Sequence, residues 1–378
     1  MSPIRWLNIF LIIENINGVY RNYSKQTKFK KCLIIIQILV QNLVYVLAIF
    51  YVFYFLLYKN SVVATKYVRY SYCVFVFITY INYLVSVVYG ITFSHNFASY
   101  YMNITRIHES LKSHKELTYS FKNAHYWASI ILNVYASVFS GYRAIQVFQK
   151  YFVWNNISAI PALVSEIITR STIVFEHFVL FIVVMTIVDL SKNLISLMVE
   201  AQQRVHRCGT SEVITGETIN RWVELYQELV NCCDKVAVCF GGQYIVLLTS
   251  TILHFIVLIY YAVCTKILRV EDIIGMYKIG SFVLTNVIMM LMPIIATQMV
   301  TNQWVKYLRV LARLQNTMIE DVDTAERKMI KDFLRVIKKH PLHIKFMSKV
   351  PVGIFLLPAI LTVVVNYVIV LLQFNHVI

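Results

Sequence analysis

Charged residues and chain breakers are scarce in this sequence. Only 14% of its 378 residues are Asp, Glu, Lys or Arg, against about a quarter in soluble domains. Gly and Pro number only 10 and 6, which excludes collagen-like and Pro/Gly-rich disordered chains. Hydrophobic residues make up 58%, and the mean hydropathy is +0.64. Because one globular core cannot bury so much apolar surface, we expect the chain to lie in a lipid bilayer.

Catalytic and metal-binding patterns are also missing. The seven cysteines are scattered, without a CxxC pair or a Cys/His spacing typical of zinc. Since there is no nucleophile–base motif and no phosphate-binding loop, we expect no enzyme and no cofactor. The net charge of +16 would suggest nucleic acid for a soluble protein. Here the basic residues fall between apolar runs, so we expect them to set membrane orientation and expect no nucleic-acid partner.

Seven apolar stretches are each long enough to cross about 30 Å of hydrocarbon as a helix. The sequence therefore predicts an all-α, polytopic membrane protein with seven transmembrane helices. A shorter apolar segment precedes them, and its Trp6, Phe10 and Leu11 predict an uncleaved interfacial helix. The seven stretches cover residues 32–57, 72–93, 126–148, 159–190, 237–267, 275–300 and 350–374.

Lysine and arginine are unevenly distributed between the loops. Residues 1–31, the loops after spans two and four, and residues 301–349 hold 26 of them, whereas the remaining loops and the C-terminal tail hold six. Positive charge favours the cytoplasmic side. We therefore expect an inverted topology, with a cytoplasmic N-terminus and an extracellular C-terminus, opposite to that of a G-protein-coupled receptor.

The most specific pattern lies in the last span. Residues 366–374 read Asn-Tyr-Val-Ile-Val-Leu-Leu-Gln-Phe. They resemble the C-terminal signature of insect gustatory receptors, in which Thr-Tyr is followed by five apolar residues and Gln-Phe. Asn366 stands where the family has threonine. His340-Pro341, which follows a basic amphipathic helix, is also similar to the family.

This resemblance implies a ligand-gated, non-selective cation channel related to the insect odorant receptors. It implies a homotetramer, or a heterotetramer with other gustatory receptor subunits, around a central pore lined by the last helix. The expected place is the plasma membrane of a chemosensory neuron. The ligand would be a small-molecule tastant, and the divergence at Asn366 together with short loops favours bitter compounds or plant metabolites.

The resemblance and the charge pattern together divide the chain into four parts. Residues 1–31 are a cytoplasmic N-terminal segment. Residues 32–300 form a six-span, ligand-sensing bundle with cytoplasmic helical extensions, and residues 301–349 form cytoplasmic anchor helices. Residues 350–378 form the pore-lining seventh span and an extracellular tail. The amphipathic pattern of 301–349 needs an apolar partner, which is either a packed helical domain or an anionic lipid surface.

Two amides in the last span agree with a pore lining. Asn366 and Gln373 are seven residues apart and share a helix face, with Ile369 and Val370 between them. Amide rings can replace part of the hydration shell of an ion, and an apolar ring can gate by dewetting. The alternative is that the amides hydrogen-bond neighbouring helices.

Polar and aromatic residues in the outer halves of the spans are the candidates for ligand binding. Charges within a span are functional candidates by default, and aromatic walls with a few polar groups suit small organic ligands. The alternatives are charges that snorkel to the interface and tyrosines that mark it. Glu176 and His177 are interpreted separately, as structural or coupling groups near the midplane. The ligand-binding candidates are Tyr83, Arg143, Gln146, Glu166, Arg170, His254, Tyr260, Tyr277 and Lys278.

Two other functions fit a polytopic helical protein. A transporter predicts internal repeats and broken helices near the midplane, and the sequence shows no convincing internal repeat. A receptor subunit that does not conduct would explain the spans but not the C-terminal signature.

Overall fold

Nearly all of the described chain is helical in a computed structural model. The model describes residues 3–21, 26–54, 66–113, 124–151, 160–208, 214–267, 273–318, 325–346, 350–351 and 353–374. Within these ranges there are two short strands, β1 (Lys345–Phe346) and β2 (Val350–Pro351), which pair antiparallel. The helices are α1 (Pro3–Ile16), α2 (Lys28–Tyr54), α3 (Lys66–Thr92), α4 (Ser94–Ser113), α5 (Ala124–Tyr151), α6 (Ile160–Cys208), α7 (Gly216–Ile267), α8 (Ile273–Thr317), α9 (Ala325–Lys339) and α10 (Leu356–Phe374).

Each predicted span overlaps one of these helices, namely α2, α3, α5, α6, α7, α8 and α10 in order. By length and composition, segments of α2, α6, α7 and α8 can cross a bilayer, and α3 with α4 forms a pair bent by 67° that counts as one more. Shorter apolar segments lie in α5 and α10. The predicted all-helical membrane fold is therefore confirmed, whereas its orientation across the bilayer stays a prediction.

Three helices are much longer than a bilayer is thick. α6, α7 and α8 contain 49, 52 and 45 residues, so each is roughly 70 Å long or more at about 1.5 Å per residue. α8 runs without a break across residue 300, where we predicted the anchor to begin. We call one group of segments the helical base. It comprises residues 191–208 of α6, 216–234 of α7, 301–317 of α8, and α9.

The helical base has an aromatic core of its own. The Tyr226 ring packs edge-on against Tyr307 at 5.2 Å and against Phe333 at 5.9 Å between ring centroids. α9 buries Ile330, Phe333 and Ile337 and packs on α7 and α8. These three members of the apolar stripe predicted for this helix are therefore buried against protein, which favours a packed helical domain; the cytoplasmic anchor stays a prediction.

α6 is the central helix of the molecule. It contacts α1, α2, α3, α5, α7 and α8, and every residue from 172 to 191 is buried. α1 lies against it: the Trp6 ring stacks on Tyr126 of α5 at 5.7 Å, and Phe10 stacks on Phe175 of α6 at 5.8 Å. The apolar side predicted for α1 exists, but it faces protein rather than lipid.

α10 begins later than predicted. Residues 350–351, the predicted start of the span, pair with β1 instead, and the helix starts at Leu356. Pro358 is its third residue, within the first turn, where a missing N–H removes no helical hydrogen bond and causes no kink. α10 packs against α7.

Candidate pore face and ligand cavity

α10 has two opposite stripes. Ile360, Val364 and Val368, spaced four residues apart, are buried. On the opposite side of the helix, Thr362, Asn366 and Gln373 are exposed. At about 100° per residue these three polar positions fall within roughly 40° of one another.

The polar stripe of α10, defined as Thr362, Asn366 and Gln373, lies between apolar neighbours. Ile369 and Val370 are each 42% exposed and flank it. Among the described residues, neither amide hydrogen-bonds another helix, and Thr362 Oγ donates to its own helix at the Pro358 carbonyl, 2.9 Å away. α10 carries no charged side chain. The stripe therefore offers uncharged polar groups to whatever covers this face.

A small cavity lies between α2, α3 and α6. Glu166 and Arg170, one turn apart on α6, form a buried ion pair there, as their i,i+4 spacing allows. The cavity also touches Thr79 of α3 and Ala48 of α2, and its volume is about 10 Å³. This is room for about one water molecule, so the site must open before it can hold an organic ligand.

The other ligand-binding candidates do not all meet at this cavity. Tyr83 is fully buried on α3, where its ring packs edge-on against Tyr45 at 5.1 Å and lies in one cluster with Val19. His254 is buried on α7. The remaining candidates fall within α5, α7 and α8, but their side chains lie outside the described part of the structure: Arg143, Gln146, Tyr260, Tyr277 and Lys278.

Comparison with known proteins identifies the family. A family model of the 7tm chemosensory receptors matches residues 15–377. The chain belongs to this family. Two solved structures of the olfactory receptor OR5 from the insect Machilis hrabei resemble the receptor across 98% of each chain at 13% identity. The TM-score is 0.66 for the complex with eugenol and 0.60 for the second structure. No curated protein sequence matches.

These matches confirm that the chain is an insect seven-transmembrane chemoreceptor, as its C-terminal signature implied. At 13% identity the likeness to OR5 shows the fold alone. The receptor thus shares its helical architecture with OR5, and this likeness carries no information about its ligand.

A buried charged cluster joins the N-terminal segment of the receptor to its central helix. Arg21, only 1% exposed, follows α1. Its Nε donates to Glu14 Oε1 of α1 and one Nη donates to Glu176 Oε2 of α6, each at 2.5 Å. The same Nη donates to Gln243 Oε1 of α7 at 2.9 Å. The guanidinium carbon lies 4.0 Å above the centre of the Phe240 ring.

Gln243 completes this cluster from α7. Its amide nitrogen donates to Glu176 Oε2 at 2.5 Å and to Ser86 Oγ of α3 at 2.9 Å. The cluster therefore ties α1 and the residues after it to three different helices. Sequence analysis pointed to Glu176 as a structural group but missed Glu14, Arg21 and Gln243, because only the folded chain brings them together.

A tight turn at Gly18 places Arg21 in the buried cluster. Gly18 has a φ of +86°, a backbone conformation that suits glycine. A side-chain carbon at Gly18 would also meet Gln41 and Tyr83. Ser94 Oγ donates to the Arg21 carbonyl at 2.8 Å. In the sequence, the local indication of this turn is Gly18, which follows the apolar run of α1.

Proposed function

We propose that this chemoreceptor is a gustatory receptor that acts as a ligand-gated, non-selective cation channel. Small-molecule tastants, with bitter compounds or plant metabolites as the favoured class, would open it. It would assemble as a homotetramer or with other gustatory receptor subunits in the plasma membrane of a chemosensory neuron. The observation that carries the proposal is the exposed polar stripe of α10.

The direction of that stripe is unusual for a helix in a membrane. Lipid cannot satisfy amide hydrogen bonds, so polar groups in a bilayer normally face the protein interior or a water-filled path. α10 instead buries Ile360, Val364 and Val368 and turns Asn366 and Gln373 outward. Several copies arranged around an axis would give these amides a shared aqueous path.

The chemistry of the stripe suits poor ion selectivity. Amide oxygens can substitute for some waters of a cation, but without fixed charge they discriminate weakly between cations. Ile369 and Val370 lie between the two amide positions and would form an apolar constriction that gates by dewetting. The channel would therefore pass several cations once the constriction is wet.

The ligand would bind in the outer half of the six-span bundle. Glu166 and Arg170 provide a buried charged pair beside hydroxyl groups of Thr79 and Thr169. Such a mixture suits a small organic molecule with hydrogen-bonding groups, and OR5 of Machilis hrabei was solved with eugenol. Arg143, Gln146, His254 and the candidate tyrosines stay predicted members of this site.

The direct experiment is electrical recording from cells that express the receptor, during application of bitter plant compounds and sugars. We expect a ligand-evoked cation current. Gln373→Ala and Asn366→Ala should change the relative permeability of Na⁺, K⁺ and Ca²⁺, because they remove amides from the pore. Leu361→Ala is the matched control, since Leu361 is also exposed but lies about 100° or more from the polar stripe.

Two results would count against this proposal. Evoked currents with the same permeability ratios in all three variants would show that the amides do not line the path. A saturable ligand flux without unitary current steps would favour a transporter. Current that appears only with a second gustatory subunit would instead support the heterotetramer.

A further inference from the structure

The buried cluster around Arg21 has one positive charge too few. Two carboxyl groups, Glu14 and Glu176, meet one guanidinium, and both carboxyl side chains are 0% exposed. The uncharged partners are Gln243 of α7 and Ser86 of α3. The other titratable group beside Arg21 is the buried thiol of Cys239 on α7, whose Sγ contacts the Phe93 carbonyl.

One oxygen of each carboxyl group is left over. Glu14 Oε2 and Glu176 Oε1 are buried and receive no hydrogen bond from any N–H or O–H group in the described ranges. Both carboxyl groups bind the same guanidinium, Glu14 at its Nε and Glu176 at one Nη, each at 2.5 Å. Two bare carboxylates in this position would repel each other, and the leftover oxygens would have lost water without gaining a donor.

We propose that Glu14 and Glu176 share one proton, and that this proton holds the N-terminal segment, residues 3–21, on α6. The protonated carboxyl group donates its O–H to the other carboxylate. One carboxylate then balances Arg21, so the cluster is electrically neutral. The ligand of this site is the proton itself.

The electrostatics of Glu14 agree with a bound proton. Burial raises the pKa of the Glu14 carboxyl well above its usual value, Arg21 lowers it, and the neighbouring Glu176 raises it again. α1 lies outside the apolar spans.

The direction of the pH effect follows from proton linkage. In an undocked segment the Glu14 carboxyl is exposed and ionises near about pH 4.3. In the docked state Glu14 keeps its proton to a higher pH, so the docked state binds more protons between the two pKa values of this carboxyl group. Docking is therefore strongest on the acidic side and weakens as the pH rises toward the raised pKa of docked Glu14.

Hydrogen exchange measured by mass spectrometry tests this on the full chain in lipid nanodiscs, without reliance on channel activity. For wild type, we expect protection of the amides in residues 3–16, corrected for the intrinsic rate, to fall about tenfold per pH unit between the pKa of the undocked Glu14 carboxyl and its raised pKa in the docked state, and to level off above that. Glu14→Gln and Glu176→Gln should each abolish this slope, because one carboxylate already balances Arg21. Glu200→Gln, which breaks the exposed Glu200–Arg204 pair, should keep the wild-type slope.

The double variant Glu14→Gln/Glu176→Gln leaves Arg21 without a counter-charge and should lose protection at every pH. If the protection of residues 3–16 in Glu14→Gln still fell with rising pH as in wild type, the proposal would be overturned. So would single amide variants as unprotected at pH 7 as the double variant, since both carboxylates would then be ionised in the docked state.

Infrared spectroscopy of wild type gives a second test that needs no stable variant. A carbonyl stretch from a protonated carboxyl group should be present at neutral pH and should disappear as the pH rises through the value at which the protection of residues 3–16 levels off. Absence of a band that titrates with the docking would overturn the shared proton.

Discussion

In soluble proteins charged residues are usually exposed and apolar residues buried. α6 and α10 show the opposite arrangement. α6 carries Glu166, Arg170, Glu176 and Asp189 in its buried part, whereas α10 has no charged residue and leaves most of its side chains exposed. Within a bilayer, apolar side chains gain little by leaving lipid, so hydrophobicity does not decide which helix is central. The need of charged groups for partners does.

The two helices also satisfy their polar groups differently. On α6, Glu166 pairs with Arg170, Glu176 pairs with Arg21, and Asp189 receives hydrogen bonds from Lys192 and Tyr126. These partners belong to the same chain. In the described chain Asn366 of α10 has no such partner. Contacts within the chain therefore hold α6 in place, whereas α10 carries the surface that we propose meets water and other subunits.

The largest effect should come from the long-range charge pair of α6. We expect Arg21→Met to destabilise the receptor by about 5 kcal/mol, because it leaves Glu14 and Glu176 buried without a cation. Thermal unfolding followed by size-exclusion chromatography measures this. Arg204→Met removes an exposed cation of α6 and should change stability by less than about 1 kcal/mol. Equal losses in both variants would contradict the importance of the cluster.

A matched pair of leucines compares the two helices directly. Leu180 of α6 is 1% exposed and Leu361 of α10 is 54% exposed. We expect Leu180→Ala to cost about 3 kcal/mol through cavity formation, while Leu361→Ala should cost a small fraction of that within one subunit. The measurement is the thermal unfolding of both variants in the same lipid. Similar losses would mean that contacts between subunits bury Leu361 as deeply as α6 buries Leu180.

The smallest effect concerns the segment that leads into α10. His343 Nδ1 lies 3.1 Å from Thr301 Oγ of α8. Burial, with a contribution from Lys345, lowers the pKa of His343, so the folded state favours the neutral ring. Its contribution to stability should therefore be present above about pH 6.5, the usual pKa of an exposed histidine, and be lost as the pH falls.

Melting temperatures between pH 7.5 and pH 5 test this. His343→Gln should reduce the loss of stability on acidification, at a cost of about 1 kcal/mol near neutral pH from the weakened hydrogen bond. His95→Gln, at an exposed position on α4, should leave the acid loss as in wild type. An unchanged acid loss in His343→Gln would assign the effect to another group.

Most of the secondary structure could be predicted from the chain alone. Long apolar runs become helices because lipid offers no partner for backbone N–H and C=O groups. Each of the seven predicted runs overlaps a helix. The Glu166–Arg170 pair was also predictable, since i,i+4 residues meet on any helix. The start of α10 was not, because residues 350–351 are apolar enough to join the span and only their pairing with β1 removes them.

The long-range contacts could not be predicted in the same way. Arg21 and Glu176 are 155 residues apart, and no local pattern connects a basic residue after α1 with an acid in the middle of α6. Tyr83 was predicted at the ligand site because it is a polar aromatic residue within a span. In the fold it also packs beside Val19 and Tyr45, at the turn formed by the N-terminal segment, and no local pattern predicts this contact.

The sequence by itself determined the membrane class, the helices of the seven spans and the spacing that puts Asn366 and Gln373 on one face of α10. These properties depend on composition and helical periodicity, which act within a few turns of chain. Only the tertiary structure decided that α6 is central, that Arg21 joins Glu14 to Glu176, and that the polar stripe of α10 faces away from the rest of the chain. Those outcomes depend on which distant surfaces pack together, because a charge buried in a bilayer is stable only where the fold brings it a partner.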